Sequence, residues 1–144
     1  MPHERNRKRP FTMAFMFLLV AGFAPVSSQT QRGGRLAAPP SLRCPRDNTT
    51  SFAGRVLAYR RTPGRVFIRV RTDEETTEEF TLTHPKRGDA SGLFLINGES
   101  FKPDDWKRVE ARAGRLRPNM RAIVWACYEG DDLKAERVDW RPPG

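Results

Sequence analysis

The chain has 144 residues, with 26 Lys plus Arg against 17 Asp plus Glu and a formal net charge of +9. This length holds one small domain, 38% hydrophobic and 30% charged residues exclude a membrane-embedded bundle, and nine Phe and three Trp exclude a fully disordered chain. The charge is uneven: residues 1–43 hold seven basic side chains and one acidic, whereas the other 19 basic and 16 acidic side chains nearly balance.

The N-terminus has the pattern of a secretory signal peptide. Basic residues between positions 5 and 9 precede an apolar run over residues 11–24, which is too short for a spanning helix of about 20 apolar residues. Val26 and Ser28 suit a cleavage after Ser28, and a cut after Ala24 is a poorer alternative. We predict a signal peptide over residues 1–28 and an exported protein, periplasmic or secreted, with no membrane span after cleavage; an uncleaved anchor is the alternative.

We predict a flexible linker over residues 29–43, because Gly33-Gly34 and Pro39-Pro40 interrupt regular structure and no apolar periodicity is present. The folded domain is then predicted to occupy residues 44–144.

The two cysteines, Cys44 and Cys127, lie near the two ends of that predicted domain. In an exported chain they predict one disulfide. A catalytic or metal-binding thiol is the alternative, but there is no CxxC spacing and no histidine close in sequence. Asn48 begins the sequon Asn48-Thr49-Thr50, which would carry a glycan only in a eukaryotic secretory pathway.

The first half of the domain predicts three successive strands. The pattern over residues 52–59 has the period of two typical of a strand with both faces partly covered, and a Pro-Gly turn at residues 62–65 follows. Val66, Ile68 and Val70 then share the inner face of a second strand.

A three-residue loop over residues 74–76 would join the second strand to the third and fix their register. The predicted pairs are Val70 with Phe80 and Ile68 with Leu82 on the inner face, and Arg71 with Glu79 on the outer face. A slip of one residue would bury Glu79 opposite Val70, so the pattern disfavours it.

The second half predicts a short strand, a helix and two further strands. The strand over residues 93–96 would close with the turn pair Asn97-Gly98. Pro103 would open the helix and Gly114 would end it. Its buried stripe would consist of Trp106, Val109 and Ala113. Alternation over residues 120–127 and 133–140 predicts the last two strands.

This order predicts a mainly β fold: a small five-stranded OB-like barrel with one short helix between the third and fourth main strands. The stretches Gly54-Arg55-Val56, Leu116 to Arg121 and Leu133 to Val138 resemble small bacterial exported OB-fold domains of uncharacterised function. Asn119 stands where such domains often carry Gly, and Asn also tolerates a left-handed backbone. The resemblance covers residues 50–140 and implies no catalytic residues.

OB barrels bind oligonucleotides or oligosaccharides across their second and third strands. The candidate ligand-binding residues here combine cationic and aromatic side chains: Tyr59, Arg65, Phe67, Arg69 and Arg71. Arg60 and Arg61 follow Tyr59 directly in the sequence. This chemistry indicates a non-enzymatic binding or structural module for an anionic ligand, a glycan or an acidic protein surface. A nucleic-acid-binding OB-fold protein is a less favoured alternative. A solvated face, with arginines paired to Glu78 and Glu79, is the alternative.

A small hydrolase, or an accessory subunit of an envelope enzyme, is a further alternative, motivated by His84 and the acidic turns at residues 104–105 and 129–132. We predict no catalytic residue, because His84 has no recognisable nucleophile motif near it. The acidic residues lack the spacing of an EF-hand, so no metal and no cofactor are predicted.

Overall fold

The computed structural model of the protein describes residues 36–144. The predicted signal peptide and the first part of the predicted linker lie outside these residues. The fold is mainly β with one short helix, as predicted. The strands are β1 (Thr49–Thr62), β2 (Arg65–Thr72), β3 (Thr77–Thr83), β4 (Phe94–Ile96), β5 (Glu99–Ser100), β6 (Glu110–Arg112), β7 (Arg115–Leu116), β8 (Arg121–Glu129) and β9 (Asp132–Arg141), and the helix is α1 (Trp106–Val109).

Seven of the strands form one sheet in the order β3-β2-β1-β8-β9-β4-β5, and β6 pairs only with β7. Neighbours in the sheet are antiparallel except β4 and β9, which are parallel. The five long strands are therefore adjacent. The sheet coils until β3 contacts β9, but within residues 36–144 no ladder of hydrogen bonds joins these two strands, so the sheet is not closed into a barrel.

The core lies on the concave face of this sheet. Val66, Ile68 and Val70 are fully buried, which confirms the predicted inner face of β2. They pack with Val124 of β8 and Trp140 of β9 in a single hydrophobic cluster. The opposite side chains of β2, at residues 65, 67, 69 and 71, are exposed or half-buried.

The predicted register of the β2–β3 hairpin is wrong by two residues, although the faces are right. Ile68 pairs with Phe80 and Arg69 pairs with Glu79. The turn occupies residues 73–75, one position earlier than predicted, because Glu75 adopts a positive φ of 66° and Thr72 pairs with Thr76 across it. A slip of two keeps every side chain on its face, so the hydrophobic pattern did not exclude it.

A β-bulge at Leu57 interrupts the predicted alternation of β1. Beyond the bulge the facing of side chains changes, so that Val56 and Tyr59 both pack against the core. Leu57 itself is 51% exposed.

At Gly54 of β1, the backbone of β2 occupies the space that a side chain would need. A Cβ there would stand 2.0 Å from the carbonyl oxygen of Arg71. We expect Gly54→Ala to lower the free energy of unfolding by about 2–3 kcal/mol, because β1 and β2 must separate locally to admit the methyl group. Urea denaturation measures this, with Gly92→Ala as the matched control, since a Cβ at Gly92 meets nothing within 4 Å. Equal stability of the two variants would contradict the expectation.

The predicted helix from Pro103 to Gly114 is wrong beyond its first turns. A 3-10 turn at Pro103–Asp105 leads into α1, which ends at Val109. The Val109 carbonyl accepts a hydrogen bond from the Arg117 amide at 2.9 Å instead of continuing the helix. Ala113 is therefore exposed outside the predicted stripe, and Gly114, at φ 74°, forms the turn between β6 and β7.

The described part of the predicted linker lies against β9. The Arg43 amide donates to Glu136 at 3.2 Å, and the Arg137 guanidinium donates to the Ser41 carbonyl at 3.2 Å. Contact with the domain therefore begins before the boundary predicted at Cys44. The predicted disulfide joins Cys44 to Cys127 on β8, with 6.0 Å between their Cα atoms. Over residues 36–144, the structure contains no helix of the length and apolarity that crossing a bilayer requires.

Candidate anion-binding face

Four of the five predicted ligand-binding residues share the outer face of β2. Arg65, Phe67, Arg69 and Arg71 alternate with the fully buried side chains of this strand, so they point away from the core. We use "outer face" for the surface that these residues form with the outward side chains of β1 and β3.

A groove of about 270 Å³ opens on the outer face at Phe67. Its lining residues come from three strands: Arg60, Thr62, Arg65, Phe67 and Thr81. The Arg60 guanidinium carbon lies 5.9 Å from the centroid of the Phe67 ring, within reach of a cation–π interaction. The groove thus offers two guanidinium groups and two hydroxyl groups beside an aromatic ring.

The arginines of the outer face differ in their partners. Arg69 donates to Glu79 at 2.6 Å, so the predicted ion pair of Glu79 exists with Arg69 and not with Arg71. Among residues 36–144, no carboxylate lies within 4 Å of Arg60, Arg65 or Arg71. Only the middle of β2 is therefore neutralised, and both of the arginines that line the groove keep their positive charge available to a ligand.

The structure does not bring Tyr59 to the outer face. The bulge at Leu57 turns Tyr59 toward the core, where its ring packs edge-to-face with the Trp140 ring at a centroid distance of 5.7 Å. Its hydroxyl donates to Glu110 at 2.8 Å. Burial, together with this hydrogen bond, raises the pKa of Tyr59 well above its ordinary range. Tyr59 is therefore held as a neutral donor beside the core.

Sequence reasoning missed the buried ion pair that Tyr59 joins. Arg61 donates to both carboxylate oxygens of Glu110, at 3.0 and 2.9 Å, and its guanidinium lies 4.1 Å from the centroid of the Trp106 ring. The Gly114 amide donates to the same carboxylate at 3.0 Å. Burial alone would raise the pKa of Glu110, but the hydrogen bonds from Arg61, Tyr59 and Gly114 outweigh it and lower that pKa. We call these residues the Glu110 cluster.

The position of the Glu110 cluster indicates a structural role. It ties the end of β1 to α1 and to the β6–β7 hairpin, which has no other strand partner in residues 36–144. Arg61 and Glu110 are 49 positions apart, so their pairing left no local signal in the sequence.

The residues that motivated a hydrolase have separate local roles. Nδ1 of His84 lies 3.0 Å from the Pro85 carbonyl oxygen. Asp105 accepts from the Lys102 amide and from Arg108, Asp104 pairs with Lys107, and Glu129 pairs with Lys134. In the described part of the chain, no three His, Cys, Asp or Glu side chains come together as a metal site would require.

No family model, curated protein or solved structure matches this chain. Its function is therefore inferred from the geometry of the outer face.

Proposed function

We propose that this chain is an exported, non-enzymatic binding module that holds an anionic partner in the groove at Phe67. The observation that carries the proposal is the pair Arg60 and Arg65. Both line the groove, and neither has a carboxylate within 4 Å among residues 36–144. Guanidinium groups with free donors bind carboxylate, sulfate and phosphate groups through paired hydrogen bonds.

An OB-like barrel is part of the proposal. The order β3-β2-β1-β8-β9 of the long strands, with β3 in contact with β9, supports a partly open five-stranded Greek-key barrel. The helical turn α1 precedes the fourth long strand, β8, as in the predicted order. In such a barrel, the face of the second and third strands is the ligand-binding surface, and the groove lies on this face.

Export is supported by two observations. The N-terminal sequence has the pattern of a signal peptide. The Cys44–Cys127 disulfide requires an oxidising compartment to form and persist. The partner is therefore expected outside the cytoplasm, where acidic glycans, anionic lipids and acidic protein surfaces are available.

The double variant Arg60→Gln/Arg65→Gln tests the proposal. The probes are heparin, vesicles containing phosphatidylserine and single-stranded DNA, measured by isothermal titration at about 50 and 200 mM NaCl. We expect at least one probe to bind the wild type at low salt and to bind it more weakly at high salt. The same probe should bind the double variant about tenfold more weakly, because this variant lacks both groove cations.

The matched control removes the same charge elsewhere. Arg112 and Arg115 are exposed and paired across the β6–β7 hairpin, so Arg112→Gln/Arg115→Gln lowers the net charge equally without altering the groove. If this control loses as much affinity as the groove variant, attraction by net charge explains the binding and the proposed site is wrong. Failure of all three probes to bind at low salt would also overturn it.

A further inference from the structure

A row of arginines crosses the sheet from β2 to β9 on the same side as the outer face, and Arg69 separates it from the groove along β2. Arg71 of β2 pairs with Arg55 of β1, Arg55 pairs with Arg121 of β8, and Arg121 pairs with Arg141 of β9. Directly opposed residues in a sheet point to the same face, and neighbouring strands lie about 4.8 Å apart. We call Arg71, Arg55 and Arg121 the arginine row. These three residues span about 10 Å across three strands.

The arginine row is only partly neutralised. Arg121 forms two hydrogen bonds with Asp73, both at 2.7 Å, and about half of each of these side chains is exposed. Arg55 and Arg71 are exposed, and over residues 36–144 neither has a carboxylate within 4 Å. Like charges placed directly opposite each other destabilise a sheet. A bound anion would relieve the repulsion within the row.

We propose that the arginine row and the groove together bind a linear acidic polysaccharide that carries repeated carboxylate or sulfate groups. Phe67 and Arg71 are four residues apart on the same face of β2, a distance of about 13 Å along the strand. A small anion can therefore occupy either the groove or the row, whereas a chain of charged sugars can occupy both. This inference rests on the proposed function for the groove and adds the length and class of the ligand.

The aromatic content of the outer face favours a polysaccharide over single-stranded nucleic acid. Proteins that bind single strands stack successive bases on several aromatic side chains. Within β1, β2 and β3, Phe67 is the only aromatic side chain on the outer face, because Phe52, Tyr59 and Phe80 pack against the core. Guanidinium groups outnumber aromatic rings there, and they recognise carboxylates and sulfates without stacking.

Size-defined heparin oligosaccharides test the inference. We expect a dodecasaccharide to bind the wild type at least tenfold more tightly than a disaccharide, because only the longer chain reaches both the groove and the arginine row. Arg55→Gln/Arg71→Gln should remove most of this length dependence, because the groove is then the only part of the proposed site left to both oligosaccharides. Asp73→Asn should strengthen dodecasaccharide binding about threefold, because it frees the Arg121 guanidinium. Thermal unfolding of each variant establishes that it is folded.

The same measurements separate this inference from the proposed function. Arg60→Gln/Arg65→Gln could weaken the binding of both oligosaccharides while Arg55→Gln/Arg71→Gln weakens the binding of neither. In that case the groove binds anions and the arginine row is not part of the site. The inference is also overturned if the affinity of the Arg112→Gln/Arg115→Gln control loses as much of its dependence on oligosaccharide length as that of Arg55→Gln/Arg71→Gln. Tighter binding of a single-stranded DNA of equal charge than of the dodecasaccharide would overturn the choice of polysaccharide.

Discussion

Glu110→Ala is expected to lower the free energy of unfolding by about 3 kcal/mol, near the lower end of the range for breaking a buried ion pair. The Glu110 side chain is only 4% exposed, and its loss leaves the Arg61 guanidinium and the Tyr59 hydroxyl without their shared acceptor. Arg61 is 29% exposed, so water compensates part of the loss. Urea denaturation monitored by tryptophan fluorescence measures the effect.

An exposed ion pair provides the matched control. Asp104 pairs with Lys107, and both side chains are more than four-fifths exposed. Asp104→Ala should therefore change the stability by less than about 0.5 kcal/mol. A similar small loss for Glu110→Ala would show that the Glu110 cluster does not hold the β6–β7 hairpin to the sheet.

The stability gap between wild type and Glu110→Ala should also depend on pH. Because folding lowers the pKa of Glu110, its contribution is complete above the ordinary carboxyl pKa of about 4.3 and is lost as the pH falls through the lower pKa of the folded state. The gap is thus expected to persist at pH 5 to 7 and to close in more acidic solution. A gap that is unchanged down to about pH 2 would contradict the assigned role of the carboxylate.

The faces of β2 and β3 could be predicted from the sequence, but the residues that pair between them could not. Val66, Ile68 and Val70 alternate with Phe67 and the arginines of β2, and this period of two assigns the faces directly. The register depended on the left-handed conformation of Glu75, a residue type that rarely adopts it. At Asn97 and Asn119 the positive φ was within reach of sequence reasoning, since Asn tolerates it.

The candidate site was predicted where it depends on alternation and missed where it depends on tertiary contacts. Arg65 and Phe67 follow from the pattern of β2. Tyr59 did not follow its pattern, because the bulge at Leu57 reverses the facing of the last part of β1. The Glu110 cluster could not be predicted from the sequence. The tertiary fold, rather than local helix propensity, ends α1 at Val109 and places the Glu110 carboxylate beside Arg61.

Removing the disulfide is expected to have the largest effect on stability. Cys44→Ala/Cys127→Ala should lower the free energy of unfolding by about 4 kcal/mol, because the bridge closes a loop with a sequence separation of 83 residues and so restricts the unfolded chain. Urea denaturation of the variant measures this loss, and reduction of the wild type is the matched control. Free-thiol titration of the unfolded, unreduced wild type should find no thiol, since both cysteines are bridged.

The second effect of this variant is local. Apart from the bridge, the hydrogen bonds that hold Ser41 and Arg43 to β9 are exposed, and each is expected to contribute only about 1 kcal/mol. Without the bridge, the amides of Leu42 and Asn48 should therefore exchange with solvent much faster, while those of Val66 and Ile68 should stay protected in the folded state. Unchanged exchange at Leu42 and Asn48 would mean that the segment before β1 is held by its own contacts. A stability loss below about 1 kcal/mol would mean that the unfolded chain is already compact enough for the bridge to restrict it little.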